Sequence, residues 1–136
     1  CYFAQLKRIA DEPRAQIVGH FDLLTKFDEK EHFFDETSLR YRAAALDAMD
    51  ALVSAGKIFE VNTGAISRGW RTTPYPSRWV LEQLKRRNAQ VTISSDSHGV
   101  GTVDCAFDRA KALLEACGFE EIRVFDGKTF AAQKIE

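Results

Sequence analysis

Two short apolar runs in this chain end in side chains that can hold a metal ion. Ala89-Gln90-Val91-Thr92-Ile93 leads into Ser94-Ser95-Asp96-Ser97-His98-Gly99, and Gln16-Ile17-Val18 leads into Gly19-His20-Phe21-Asp22. A carboxylate oxygen and a neutral imidazole nitrogen are both good ligands for Zn²⁺, Mn²⁺ or Fe²⁺. Residues two apart in a strand share a face, so Asp96 and His98 point to one side wherever extended geometry persists past Ile93. Asp-x-His alone also fits a turn with a solvated imidazole. Its recurrence, as His and Asp, at a second run favours a site.

A second chemistry sits in the segment Gly64-Ala65-Ile66-Ser67-Arg68-Gly69-Trp70-Arg71-Thr72-Thr73-Pro74-Tyr75-Pro76-Ser77. Arg68 and Arg71, with the Ser67 hydroxyl nearby, can form a planar clamp for phosphate oxygens. The same arginines could equally serve only to keep an exposed loop soluble. Next to a metal site the clamp gains weight, because a metal that generates hydroxide and an arginine that holds phosphate are two parts of phosphoester hydrolysis.

The elements that must position these residues follow a regular rhythm. Two further apolar runs, Lys57-Ile58-Phe59-Glu60-Val61 and Glu121-Ile122-Arg123-Val124-Phe125, finish in Asn62-Thr63-Gly64 and Asp126-Gly127. His20, Glu60, Asp96 and Phe125 stand 40, 36 and 29 positions apart, the length of βα units with parallel strands. Between them the spacing predicts helices: one with Leu39, Ala43, Leu46, Met49 and Val53 on its apolar stripe and Gly56 as its stop; one capped by Ser77 and ended by Asn88; and one running from Thr102 through Cys105 to Cys117, closed by Gly118. A helix from Tyr2 to Ala10 precedes the first strand, ending before Pro13, and the tail from Thr129 to Ile135 is expected to add a last helical turn or two. The fold class is therefore α/β, built of parallel βα units. Such sheets place their sites at the carboxyl ends of the strands, where His20, Asn62, Asp96 and His98 fall.

Composition sets the bounds. The 136 residues suit one domain with a substantial core, 45% being hydrophobic. With 19 basic against 20 acidic residues there is no electrostatic case for nucleic acid or an anionic membrane. No apolar run approaches the ~20 residues that span a bilayer. Three cysteines without ribbon spacing read as a reducing, cytoplasmic compartment; Cys105 and Cys117, on one helix, are too far apart to pair, and Cys1 has no predictable partner. A chain beginning with Cys1 is not a native start, so an upstream segment is expected.

Taken in order, Gly19-His20-Phe21-Asp22-Leu23-Leu24-Thr25-Lys26, Glu60-Val61-Asn62-Thr63-Gly64-Ala65-Ile66-Ser67-Arg68-Gly69, Pro74-Tyr75-Pro76-Ser77, Ser94-Ser95-Asp96-Ser97-His98 and Cys117-Gly118-Phe119 resemble the carboxyl-terminal half of histidinol-phosphatases of the PHP (polymerase and histidinol phosphatase) family. Gly-His-x-Asp and Ser-Asp-x-His run through that family, whereas the Asn-Thr-Gly and Ser-Arg-Gly loop and Pro-Tyr-Pro-Ser are narrower. The resemblance implies a distorted seven-stranded (β/α) barrel, similar to a TIM barrel, of which residues 1–136 would be a partial PHP domain. It implies a trinuclear site of divalent metals (Zn, Mn or Fe). His20, Asp96 and His98 resemble three of its ligands, Asp96 also sharing in catalysis, and Arg68 resembles the residue that binds the substrate phosphate. The implied substrate is a small phosphomonoester, histidinol phosphate.

The family's upstream His-x-His, its further histidines and its bridging Glu have no counterpart here; the only other histidine is His32, in a charged, solvent-facing stretch. The expectation is therefore a fragment, inactive alone, that lacks the amino-terminal part of its barrel and whose uncovered sheet edges favour self-association. Two alternatives stay open: a PHP phosphoesterase acting on nucleotides or attached to a polymerase, and a non-catalytic structural or interaction remnant.

Overall fold

A computed structural model describes residues 2–33 and 35–136; Cys1, and with it the expectations placed on it, lies outside them. The chain opens with helix α1 (Tyr2–Lys7), continued by a 3₁₀ turn to Asp11 as Pro13 approaches. Strand β1 is only Ile17–Val18, shorter than the run from Gln16 suggested, because the chain leaves the ladder at Gly19 and His20 takes a positive φ of 28°. After a short helix α2 (Asp28–Glu31) comes the longest element, α3 (Leu39–Ser54). Ser38 caps α3 by accepting the Tyr41 N–H at 3.3 Å, and Gly56 turns the chain at φ 71°.

Strand β2 (Ile58–Asn62) is followed by the short helix α4 (Gly64–Ser67), then α5 (Arg78–Arg86), β3 (Gln90–Ser94) and α6 (Phe107–Ala116). Strands β1, β2 and β3 form a parallel sheet in that order, with Glu60 opposite Thr92 and Asn62 opposite Ser94. Alternation along β2 sends Phe59 and Val61 into one face, where both are fully buried with Val18 and Val91. There they meet Phe3 of α1, Ala45, Ala48, Met49 and Leu52 of α3, Val80, Leu81 and Leu84 of α5, and Ala110 and Leu114 of α6. Each large side chain buried there contributes about 2–3 kcal/mol of transfer free energy. The other face of β2 carries Ile58, Glu60 and Asn62, and it is polar toward its carboxyl end.

The sequence reading needs correction in several places. The stripe of α3 is rotated from the one predicted: Leu39 is 86% exposed, and Ala45, Ala48, Met49 and Leu52 face the core. Two of these four are small alanines, and α3 packs most closely against α1, a placement that hydrophobicity alone does not reveal. Ser77 stands at the N-cap of α5 but its hydroxyl makes no capping bond; its N–H goes instead to the buried Asp22, 2.7 Å away. The third helix starts at Phe107, after a 3₁₀ turn at Val100–Thr102, so Cys105 precedes it and Cys117 follows it; both thiols are free.

The largest correction lies at the end of the chain. The fourth strand, β4 (Glu121–Phe125), lies beside β3 without joining its ladder. It pairs instead, antiparallel, with β5 (Phe130–Lys134), where a helical tail was expected. Asp126 makes the turn: its Oδ1 accepts the N–H groups of Lys128 and Thr129 at 2.9 and 2.8 Å, and Gly127 supplies φ 97°. A strand followed by Asp-Gly is the signal of a hairpin, and here it outweighs the βα rhythm. The architecture is thus mixed α/β with a three-stranded parallel sheet. No helix among the described residues is long and apolar enough to cross a membrane.

Candidate functional site

The carboxyl ends of the three parallel strands open into a cavity of about 320 Å³ lined by His20, Leu23, Lys26, Asn62, Arg68, Tyr75, Asp96 and His98. Four of the six residues singled out by sequence, His20, Arg68, Asp96 and His98, converge here. Each arrives on a segment that leaves a strand: His20 after β1, Arg68 at the end of α4 after β2, Asp96 and His98 after β3. Two of them adopt left-handed backbone conformations unusual for side chains with a Cβ, φ 28° at His20 and 46° at Asp96. Strain of this kind persists only where surrounding bonds hold it, and it gathers at functional sites.

Arg68 is bound to Asp96 by two contacts. Its Nη2 donates to Asp96 Oδ2 at 2.9 Å and its Nη1 to the Asp96 carbonyl at 3.0 Å. The other carboxylate oxygen, Oδ1, stands 3.7 Å from His98 Nε2, whose ring is largely in solvent. His20 Nδ1 is buried and has no hydrogen-bond partner among the described residues. Among those residues, no three His, Cys, Asp or Glu side chains come close enough to hold a metal ion together. The donors present therefore do not fit a metal on their own: Asp96 lies against His98 and is also claimed by Arg68, and no third donor completes the set.

Ser67 and Arg71 do not line the cavity. The Ser67 hydroxyl donates to the Gly64 carbonyl at 2.9 Å, within α4. Arg71 is 7% exposed; its Nη1 donates to Thr25 Oγ1 at 2.6 Å and the Thr25 carbonyl at 3.1 Å, and its Nη2 to Thr73 Oγ1 at 3.3 Å. Its Nε lies 3.6 Å from Glu29 Oε1, and the guanidinium packs over the Tyr75 ring at 4.8 Å. With its fork committed to the loop after β1, Arg71 joins that loop to the Thr72–Thr73 segment.

Beneath the cavity lies a buried polar layer. Asp22 is fully buried; burial pushes its carboxyl up to about 6, against the Ser77 N–H bond and the Arg71 charge, which pull it down. Burial likewise raises the Tyr75 hydroxyl to about 12. Gly64 is required at the other wall: a Cβ there would stand 2.7 Å from Arg68 Nη2, 2.8 Å from the Ser95 carbonyl and 3.0 Å from Asp96 Cβ.

Sequence reasoning passed over two of these residues. Lys26 adds a second cation to the cavity, its amine 5.2 and 5.5 Å from the ring centres of Phe27 and Trp70. Glu60 accepts hydrogen bonds from the His20 N–H at 2.8 Å, Asn62 Nδ2 at 3.1 Å and Ser94 Oγ at 2.5 Å. The signal for Glu60 was a lone carboxylate inside an otherwise apolar strand. Lys26 closes the first of the matching motifs, but a lysine after Leu-Leu-Thr is ordinarily a solvated surface residue, and nothing else marked it.

Two cations, Arg68 and Lys26, one carboxylate, Asp96, and two imidazoles, His20 and His98, thus line the opening at the strand ends. Over 124 residues the chain is 36% identical to a probable histidinol-phosphatase of Schizosaccharomyces pombe, a match covering 89% of this chain and 40% of that protein. Over these residues the chain is similar to a histidinol-phosphatase. It is also 27% identical over 100 residues to the histidinol-phosphatase of Bacillus subtilis, covering 74% of this chain and 35% of that protein. The chain thus spans well under half the length of the curated relatives it matches. No protein-family model matches it.

Proposed function

We propose that this chain is part of a phosphomonoesterase that hydrolyses histidinol phosphate to histidinol and phosphate, a step of histidine biosynthesis. In that reaction a water oxygen attacks phosphorus and the bond from phosphorus to the histidinol oxygen breaks. Arg68 would leave Asp96 to hold the phosphoryl oxygens as charge builds on them, with Lys26 as a second cation at the rim. The convergence of Arg68, His20, Asp96 and His98 on one cavity, in a chain similar to histidinol-phosphatases over most of its length, carries this reading.

The partial PHP barrel belongs to the same proposal, which the three parallel strands and their polar carboxyl ends support. Divalent metals would require ligands beyond this chain, to which it would contribute His20, Asp96 and His98. Alone, the chain should be inactive toward phosphomonoesters. The test is an assay of the full-length protein against histidinol phosphate and against nucleoside monophosphates. Turnover of histidinol phosphate, lost in Arg68→Ala, supports the proposal; turnover of nucleotides alone would replace the substrate.

A further inference from the structure

Glu60 sits where the ends of all three parallel strands meet. It points to the polar face of β2, and its carboxylate draws together one group from each strand end: the His20 N–H beyond β1, the Asn62 amide at the end of β2 and the Ser94 hydroxyl at the end of β3. Oε2 takes the first two and Oε1 takes the third. All three donors are neutral, and bonds in which the acceptor is an ionised carboxylate are about twice as strong as bonds between two neutral groups. The Asn62 side chain, oriented by Glu60, in turn accepts the Gly64 N–H through Oδ1 at 2.9 Å, at the first residue of α4, which ends beside Arg68.

One of these contacts acts on backbone that local energetics disfavour, and another holds the strand end two residues before such a position. His20 has φ 28°, and its N–H, turned out of the ladder, finds Glu60 where a strand carbonyl would ordinarily stand. Ser94 lies two residues before Asp96, whose φ is 46°. Left-handed conformations at such residues cost on the order of 1–3 kcal/mol each, so a brace is needed to make them the ground state. Glu60 does not line the cavity, and no bond joins it to Arg68 or Lys26.

We propose that Glu60 is a positioning residue of this site: by clamping the ends of β1, β2 and β3 it sets the directions in which His20 and Asp96 enter the cavity. The geometry alone supports the clamp. Its effect on turnover rests also on the phosphatase reading, and the test keeps the two apart.

Amide spectra of the 136-residue chain are recorded for the wild type, Glu60→Gln and Glu60→Ala. Glu60→Gln keeps the shape and one acceptor but loses the charge, and it carries the test if Glu60→Ala does not fold. In both variants the His20 amide proton should move upfield and the amides of Ser94, Ser95 and Asp96 should shift, while Phe59 and Val61 on the opposite face stay in place. A folded variant with unmoved His20 and Asp96 amides, or with changes spread evenly through the core, would overturn the clamp. In the full-length protein, Glu60→Ala should lower kcat for histidinol phosphate about a hundredfold, the cost of a misplacement near 1 Å, with KM nearly unchanged because Arg68 remains. Glu60→Gln should fall in between. Wild-type kcat in a folded variant would contradict the proposal. Should the wild-type protein not hydrolyse the substrate, the phosphatase reading fails, and the amide shifts alone decide the role of Glu60.

Discussion

Arg68 and Asp96 close on each other across the ends of β2 and β3, with guanidinium nitrogens 2.9 Å from the carboxylate and 3.0 Å from the carbonyl of the same residue. Both side chains are partly in solvent, so the pair itself contributes little to stability, ~1 kcal/mol or less. Under the proposed function, a phosphate reaching the cavity would compete with Asp96 for the same fork.

Arg68→Ala in the full-length protein should therefore reduce kcat/KM for a phosphomonoester by about a hundredfold, roughly 3 kcal/mol of transition-state stabilisation. Metal content should stay level or rise, because Asp96 is released from its partner. Steady-state kinetics beside metal analysis separates this from Asp96→Asn or His98→Ala, which should lower both together. Loss of metal in Arg68→Ala would show that the arginine organises ligands and does not meet substrate.

Arg71→Ala should behave quite differently. Removing a cation that is buried against Thr25, Thr73 and Glu29 leaves those acceptors without their donor, at a cost of about 3–5 kcal/mol. Denaturant unfolding of the two arginine variants checks the contrast: a lowered midpoint for Arg71→Ala and a nearly unchanged one for Arg68→Ala. Equal midpoints would mean that Arg71 does not anchor the loop and would reopen the phosphate clamp expected from sequence.

The two arginines illustrate what a sequence can convey here. Placing His20, Asp96 and His98 at strand ends needed only the apolar runs and their period. So did α5, the parallel sense of β1 to β3 and the bounds of α3. Distinguishing Arg68 from Arg71 needed the path of the loop after β1, which sequence spacing does not encode, because Thr25 is 46 residues from Arg71 in the chain. Glu60 escaped notice for the same reason, its three donors coming from three strand ends. The spacing predicts a helical tail because it places β4 in the parallel sheet; once Asp126-Gly127 makes a hairpin, Phe130–Lys134 has a ladder to join.

Gly64→Ala should destabilise the chain by about 1–3 kcal/mol, since the added methyl meets the Ser95 carbonyl, which is backbone and cannot step aside. Equilibrium unfolding measures the loss. An alanine tolerated without loss would mean that the ends of β2 and β3 are looser than this packing.

Stability should depend on pH through Asp22. Its carboxyl is raised from the usual carboxylate range to about 6 by burial, so the folded chain holds a proton that the unfolded chain has released. The associated stabilisation is fully present below about pH 4 and is lost as pH rises through 6, on the order of 3 kcal/mol in all. Asp22→Asn, which cannot ionise, should flatten the dependence across that window and be the more stable protein at pH 7. Parallel unfolding curves at pH 4, 5, 6 and 7 for the two proteins decide it; an identical slope in Asp22→Asn would assign the dependence elsewhere.

The central claim is that this cavity serves phosphomonoester hydrolysis, and the most direct measurement is phosphate release from histidinol phosphate by the full-length protein, wild type and Arg68→Ala, beside the 136-residue chain. The account predicts turnover by the wild type, about a hundredfold loss in the variant, and none by the chain alone. Full turnover in Arg68→Ala, or no release from histidinol phosphate by an intact wild-type protein, would contradict it.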